Sequence, residues 1–286
     1  MSPDNSGFNF DQAVVWITGA SSGIGAALAQ EMARRGARIV LSSRREKQLH
    51  DVQQQCVDAG IEQASLLILP LDIEDHSSMP AAVAKVMGLF GRIDLLINNA
   101  GISQRSLCID TDLAVYRKLL DVDVLGQIAL TKQVLPVMVE QGYGTLSVTS
   151  SVAGKVGAPL RTGYSAAKHA VMGFFDALRV EVAHLGLKVT TIVPGSIRTQ
   201  VAHNALTGSG SANGVADPNI EAGMDVAECA RVIADGFAAD SEEIAVGDGP
   251  EMGLLDMKRQ DPTGTFRLLE QMAADQTQTH RTHQRQ

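Results

Sequence analysis

Disulfides, metal-ligand spacings and a basic face are all missing from this sequence. Its three cysteines, Cys56, Cys108 and Cys229, are odd in number, far apart and at no ligand spacing. They read as free thiols in a reducing compartment, each a small core residue. No dense lysine and arginine cluster stands out, and a net charge of -8 lacks the footprint of a nucleic-acid binder. Acidic substrates and membrane surfaces gain no general attraction from that balance either. "MSPDNSGFNFDQ" has no basic stretch followed by an apolar core, and no apolar run reaches the roughly 18 residues of a membrane span. These absences predict a soluble, cytoplasmic protein with no nucleic-acid or membrane partner and no metal. His280 and His283 belong to a polar tail, not a ligand set.

What is present is core-forming: hydrophobic residues make up 45% of the 286. Short β-branched or leucine-rich runs recur as "AVVWIT" (13–18), "ARIVLS" (37–42), "SLLILPL" (65–71), "DLLIN" (94–98), "TLSVTS" (145–150), "LKVTTIV" (187–193) and "EIAVG" (243–247). Each reads as a buried strand. Between the first of them, apolar residues recur at helical spacing, as in Ile24, Leu28 and Met32, and Gly36, Gly60 and Gly91 sit where helices end. Strand and helix alternating this way predict one α/β domain, a Rossmann-type, doubly wound, mostly parallel seven-stranded sheet flanked by helices. The expected layout is an N-terminal arm (1–11), the catalytic domain (12–250) with a substrate loop at about 196–224, an extension (251–273) and a disordered tail (274–286). The Gly/Ser/Asn-rich stretch 204–224 is long enough for a lid or binding loop, or else is a disordered insertion.

The first strand runs directly into "TGASSGIGAAL", with Gly19, Gly23 and Gly25 ahead of an amphipathic helix. Glycines let the backbone approach a pyrophosphate, and the helix N-terminus favours its charge. The strand before and the helix after supply the context that a lone glycine triplet lacks. At the end of the second strand, where an NAD site places an acid, stand Ser43, Arg44 and Arg45. A guanidinium suits a 2′-phosphate, so NADP(H) is expected over NAD(H), unless both arginines are solvated residues opening a helix.

"GYSAAKHAV" sets Tyr164 and Lys168 four apart, on one helix face. An ammonium about 4 Å from a phenolate stabilises it by about 4 kcal/mol at an effective dielectric near 20. That makes a tyrosine useful as a general acid or base, although the spacing alone is common. It is not alone, because "NNAG" (98–101), "TSS" (149–151) and "PGSIRT" (194–199) also fall at strand C-terminal ends, where open α/β sheets bind ligands.

With those motifs in this order, and Ser151 thirteen positions before Tyr164, residues 10 to 250 resemble the short-chain dehydrogenase/reductase family. "NNAGISQRSLCIDTDLAVYRKLL" resembles the member 7 subgroup within it. The resemblance implies that Tyr164 exchanges a proton with the substrate oxygen and that Lys168 assists it and holds the nicotinamide ribose. It implies that Ser151 hydrogen-bonds the same substrate oxygen. Gly19, Ser21, Ser22, Gly23, Ile24 and Gly25 would line the cofactor phosphates, Asp72 and Ile73 the adenine, and Asn98, with Ala100 and Gly101, the adenosine-side ribose region. Pro194, Gly195, Ile197 and Thr199 would meet the nicotinamide end. The family usually completes a tetrad with asparagine where "LLDVDVLG" has Asp123. A carboxylate at roughly 8 Å would oppose phenolate formation by about 2 kcal/mol. Asp123 therefore either pairs with Lys168 or is protonated, and it either favours the phenol that a reductase uses as acid or is a neutral substitution in a water relay. The resemblance also implies a small carbonyl or alcohol substrate and a homodimer or homotetramer, with Phe174, Phe175, Leu178 and Val180 as packing residues unless they face the sheet. The other reading is a catalytically weak nucleotide-binding sensor or scaffold on the same fold.

Overall fold

Residues 7–283 are described by the computed structural model. Seven strands lie parallel in the order β3-β2-β1-β4-β5-β6-β7. They are β1 (Val14–Thr18), β2 (Arg38–Ser42), β3 (Leu66–Ile68), β4 (Leu95–Asn98), β5 (Gly144–Thr149), β6 (Leu187–Pro194) and β7 (Glu243–Val246). Past β3, Leu69 N and Leu71 N still donate to Leu41 O and Ser43 O, so Pro70 falls at the open edge, where no N–H is needed.

Alternation of side chains assigns each strand to two cores. Val15, Ile17, Ile39 and Leu41 pack against α1 (Gly23–Arg34), α2 (Glu46–Asp58) and α8 (Val226–Ala238). Val14, Trp16, Val40 and Leu96 face the other way, toward α3 (Met79–Phe90), α5 (Gly126–Gln141) and α6 (Thr162–Val182). Burial on both faces is why these strands read as continuous apolar runs. α4 (Leu113–Leu120) joins α5 through one π-helical turn, Asp121–Leu125, while α7 (Pro218–Glu221), α9 (Gly253–Gln260) and α10 (Pro262–His283) complete the helices. Gly91 closes α3 at φ 71°, a left-handed position that suits glycine.

Several details differ from the sequence reading. The continuous helix 113–141 is long and apolar enough, by length and composition, to cross a membrane. Leu130, Val134 and Met138 nevertheless seat it in the second core. Cys108 is exposed while Cys56 and Cys229 are buried, and all three are free. Phe175 and Leu178 belong to the core, whereas Val180 is exposed. The polar segment from Ala274 continues α10 to His283 instead of being disordered, because it contains no glycine or proline to stop a helix. Residues 284–286 of that tail and 1–6 of the arm lie outside the described residues, as do the side chains of His280 and His283. Phe8 and Phe10 of the arm stack edge to face, 5.0 Å between centroids, over Phe237 of α8. The 204–224 stretch is ordered: Leu206 bridges Gln104 and Ala212, and α7 follows.

Candidate active site

Strand order reverses between β1 and β4, and there a cavity of about 630 Å³ opens at the strand C-terminal ends. Thr18 Oγ1 ties the two strand ends together, accepting from Asn99 N at 2.9 Å and Ala100 N at 3.0 Å. Gly19 turns away at φ 66°, where a Cβ would lie 2.9 Å from Ala100 Cα. Only glycine fits that approach. A Cβ on Gly23 would meet Thr199 Cγ2 at 3.3 Å, across the cleft. Gly19, Ser21, Ser22, Gly23 and Ile24 all line the cavity. Gly25 does not: a Cβ there would sit 2.4 Å from Gly19 O, so this glycine packs α1 beneath the loop and does not face a ligand.

The end of β2 supplies hydroxyl and guanidinium donors. Arg45 Nη2 donates to Ser21 Oγ at 2.8 Å and Ser22 Oγ at 2.7 Å, joining β2 to the glycine loop. Ser43 Oγ accepts from Arg45 N at 3.1 Å. Arg45 thus opens α2 and lines the cavity as well, beside Ser43 and Arg44. Asp72 and Ile73 form the adjoining wall, where Asp72 Oδ1 accepts from Glu74 N at 3.1 Å.

At the other end stand the reactive residues. Tyr164 and Ser151 line the cavity, the serine positioned by an Oγ that accepts from Ala153 N at 3.1 Å and donates to Pro194 O at 3.4 Å. Lys168, one turn along α6, is 4% exposed and donates from Nζ to Thr149 O at 3.0 Å. Its Nζ lies 5.6 Å from the Tyr164 ring centroid and 3.2 Å from Asp123 Oδ2. The pairing with Lys168 that Asp123 was expected to make is present, as an ion-pair contact and not an aligned hydrogen bond. Asp123 Oδ1 accepts from Ile102 N at 2.8 Å, so the carboxylate also holds the β4 loop.

Asp123 departs from the sequence reading in one respect: it is fully buried in the π-turn behind Lys168 and does not line the cavity. It is a positioning residue, acting through the lysine. The π-turn explains this placement, because the extra residue swings the carboxylate inward between the β4 loop and α6. Burial pushes the Asp123 carboxyl above its ordinary range, against the pull of Lys168. Burial alone would lower Lys168, but Asp123 and Tyr164 together outweigh it and raise the ammonium. The lysine shift governs the pair at neutral pH, since a neutral Lys168 would leave a carboxylate buried alone.

Asn98 is a second correction. It is fully buried, and its Nδ2 donates to Thr131 Oγ1 at 3.0 Å and Ser147 O at 3.2 Å, away from the cavity. Strand alternation turns Asn99, not Asn98, toward the cleft. Asp72, Ile73, Ala100, Gly101, Pro194, Gly195, Ile197 and Thr199 line it. Sequence reasoning missed Arg105, Arg161, Glu251, Leu254 and Leu269, which also line it. The first two follow "NNAG" and precede "TGY" closely, a signal that was available; the last three come from the C-terminal extension and carry none.

The residues present fit a nicotinamide dinucleotide: a glycine cradle without room for Cβ atoms, cationic donors at one end and a hydroxyl pair with a buried ammonium at the other. Residues 13–209 match the short chain dehydrogenase family. The chain is 39% identical over 261 residues to dehydrogenase/reductase SDR family member 7 of Homo sapiens, covering 91% of this chain and 77% of that protein. It is 41% identical over 236 residues to dehydrogenase/reductase SDR family protein 7-like of Drosophila melanogaster, covering 82% and 72%. A short chain dehydrogenase/reductase from Burkholderia phymatum, solved in complex with NAD, shares the fold at a TM-score of 0.79 and 21% identity, over 89% of this chain and 95% of that one. A short-chain dehydrogenase from Streptomyces avermitilis gives 0.75 at 26% identity, over 93% and 99%.

Proposed function

The chain belongs to the short-chain dehydrogenase/reductase family, in its member 7 subgroup, and from that premise we propose an NADP(H)-dependent enzyme that interconverts a carbonyl and a secondary alcohol. The observation that carries this reading is the convergence of Ser151, Tyr164 and Lys168 on one end of a cavity whose other end bears Ser43, Arg44 and Arg45. A bound nicotinamide cofactor would supply the hydride. Tyr164 then gives its hydroxyl proton to the substrate oxygen in reduction and takes it back in oxidation. Ser151 donates to that same oxygen as negative charge develops on it. Lys168, backed by Asp123 at 3.2 Å, places its ammonium 5.6 Å from the Tyr164 ring, where it faces the same end of the cleft.

NADP(H) is preferred in this reading because no carboxylate stands at the end of β2, whereas Arg44 and Arg45 offer cations to a 2′-phosphate. A cytoplasmic setting is part of the same reading, with the free cysteines as its support, and so is the homo-oligomer that the family resemblance implies. Asp123, in place of the family's asparagine, favours the rival reading of a nucleotide-bound sensor with little turnover. Oxidation of NADPH and NADH against a panel of ketones tests both. The account expects NADPH turnover with a KM roughly tenfold or more below that for NADH. Equal use of the two would overturn the cofactor assignment, and tight binding with no turnover of any ketone would favour the sensor.

A further inference from the structure

The chain's negative balance hides a local excess of the opposite sign. Arg105, two residues beyond Ser103 in the β4 loop, and Arg161, three residues before Tyr164, both line the substrate end of the cavity. They share one counter-ion: Asp217 Oδ2 accepts from Arg105 Nη2 at 2.9 Å and from Arg161 Nη2 at 3.0 Å. Asp217 itself does not line the cavity, so the carboxylate lies behind the two guanidiniums. Its Oδ1 accepts from Asn219 N at 3.0 Å.

Two cations against one carboxylate leave a net charge of about +1 facing the cleft. Both terminal nitrogens of Arg105 are engaged, since Nη1 also donates to Gln104 O at 3.0 Å and Ser103 Oγ at 3.3 Å. Arg161 is not: its Nε and Nη1 have no partner among the described residues. The other acids of the cavity are committed elsewhere. Glu74 pairs with Lys118 beside Asp72, and Glu251 accepts from Ser196 N at 2.5 Å. Burial first, and then the charge of Arg161, push Arg105 down to about 10 against the pull of Asp217. A second anion would relieve that repulsion. Val152, Val156, Leu206, Ile220, Leu254 and Leu269 give the wall an apolar stretch, beside the polar Gln200 and Asn204.

We propose that this cleft selects carbonyl compounds that carry an anionic group, a carboxylate or a phosphate, on an apolar body. The anion sits on the open edge of Arg161, with Arg105 and Asp217 fixing that guanidinium from behind. The proposal rests on the oxidoreductase reading above and names its substrate class.

The test compares 4-acetylbenzoate, its methyl ester and 4-acetylphenyl phosphate, three ketones that differ in charge at one end. With NADPH, kcat/KM for one of the two anions should exceed that for the ester at least tenfold, through KM. R161Q should cut that ratio at least tenfold and R161K should restore part of it. Which anion wins separates a carboxylate source from a phosphate source. An ester turned over as well as both acids, or a ratio that R161Q leaves intact, overturns the proposal. If no ketone is reduced, the oxidoreductase reading fails by itself. Calorimetric binding of 4-acetylbenzoate then decides: weaker binding to R161Q supports the anion site, and equal binding refutes it.

Discussion

The two ends of the cleft are built differently. The cofactor end is made of strand ends and the turns directly after them, tied together by hydrogen bonds such as those the Thr18 hydroxyl accepts from Asn99 N and Ala100 N. The substrate end is assembled from parts far apart in the chain: Arg105 after β4, Arg161 before α6, Asp217 in the loop before α7, and Leu254 and Leu269 from the C-terminal helices. One end is fixed by local geometry that a shared fold imposes. The other is fixed by contacts between loops and helices distant in sequence, such as Arg105 with Asp217. Between them lies Lys168, whose charge serves both.

Breaking that central charge should have the largest effect. Lys168→Met leaves the Asp123 carboxylate buried without its cation and should cost about 3–5 kcal/mol in denaturant unfolding. Ser151→Ala removes one donor to the substrate oxygen at the reactive end and should lower kcat by about 100-fold, with NADPH affinity unchanged. Asp123→Asn keeps the shape and deletes the opposing charge. Its pH profile of kcat/KM for alcohol oxidation should move away from the parent's, and superimposable profiles would end that account of Asp123.

The smallest effect concerns the substrate end. Burial pushes the Asp217 carboxyl up, but Arg105 and then Arg161 pull it further, to below its usual range. The folded carboxyl therefore binds its proton more weakly than the unfolded one, whose value is about 3.9. Its stabilisation is complete above that value and is lost as pH falls through the folded one. Asp217→Asn should cost about 1 kcal/mol at neutral pH and flatten the acid side of the stability curve. A variant whose curve keeps the parent's acid slope would show that the clasp is electrostatically idle.

Legibility in the sequence follows the same division. The seven strands and the glycine loop were readable because each is a short run whose period or spacing carries its own physical cause. Tyr164 and Lys168 were readable as a pair for the same reason. Asn98 was misplaced because a one-residue step along a strand reverses the face, and no local pattern says which of two consecutive asparagines points inward. The π-turn that buries Asp123 left no mark on the periodicity of "LLDVDVLG", so its pairing could be posed but not located. Arg105, Arg161 and Asp217 meet across more than 100 residues, from Arg105 to Asp217, and their meeting depends on the folded loop. The tail was misread because polarity argues for solvent exposure and not against a helix.

The account stands most directly on Tyr164 as the proton donor and acceptor. Single-turnover reduction of a ketone by NADPH, compared between the parent and Tyr164→Phe, isolates that role, because loss of the hydroxyl leaves the ring and the cofactor end in place. The expected result is a fall in rate of about 100-fold or more with NADPH binding preserved. A Tyr164→Phe enzyme that reduces the ketone at the parent's rate would contradict it.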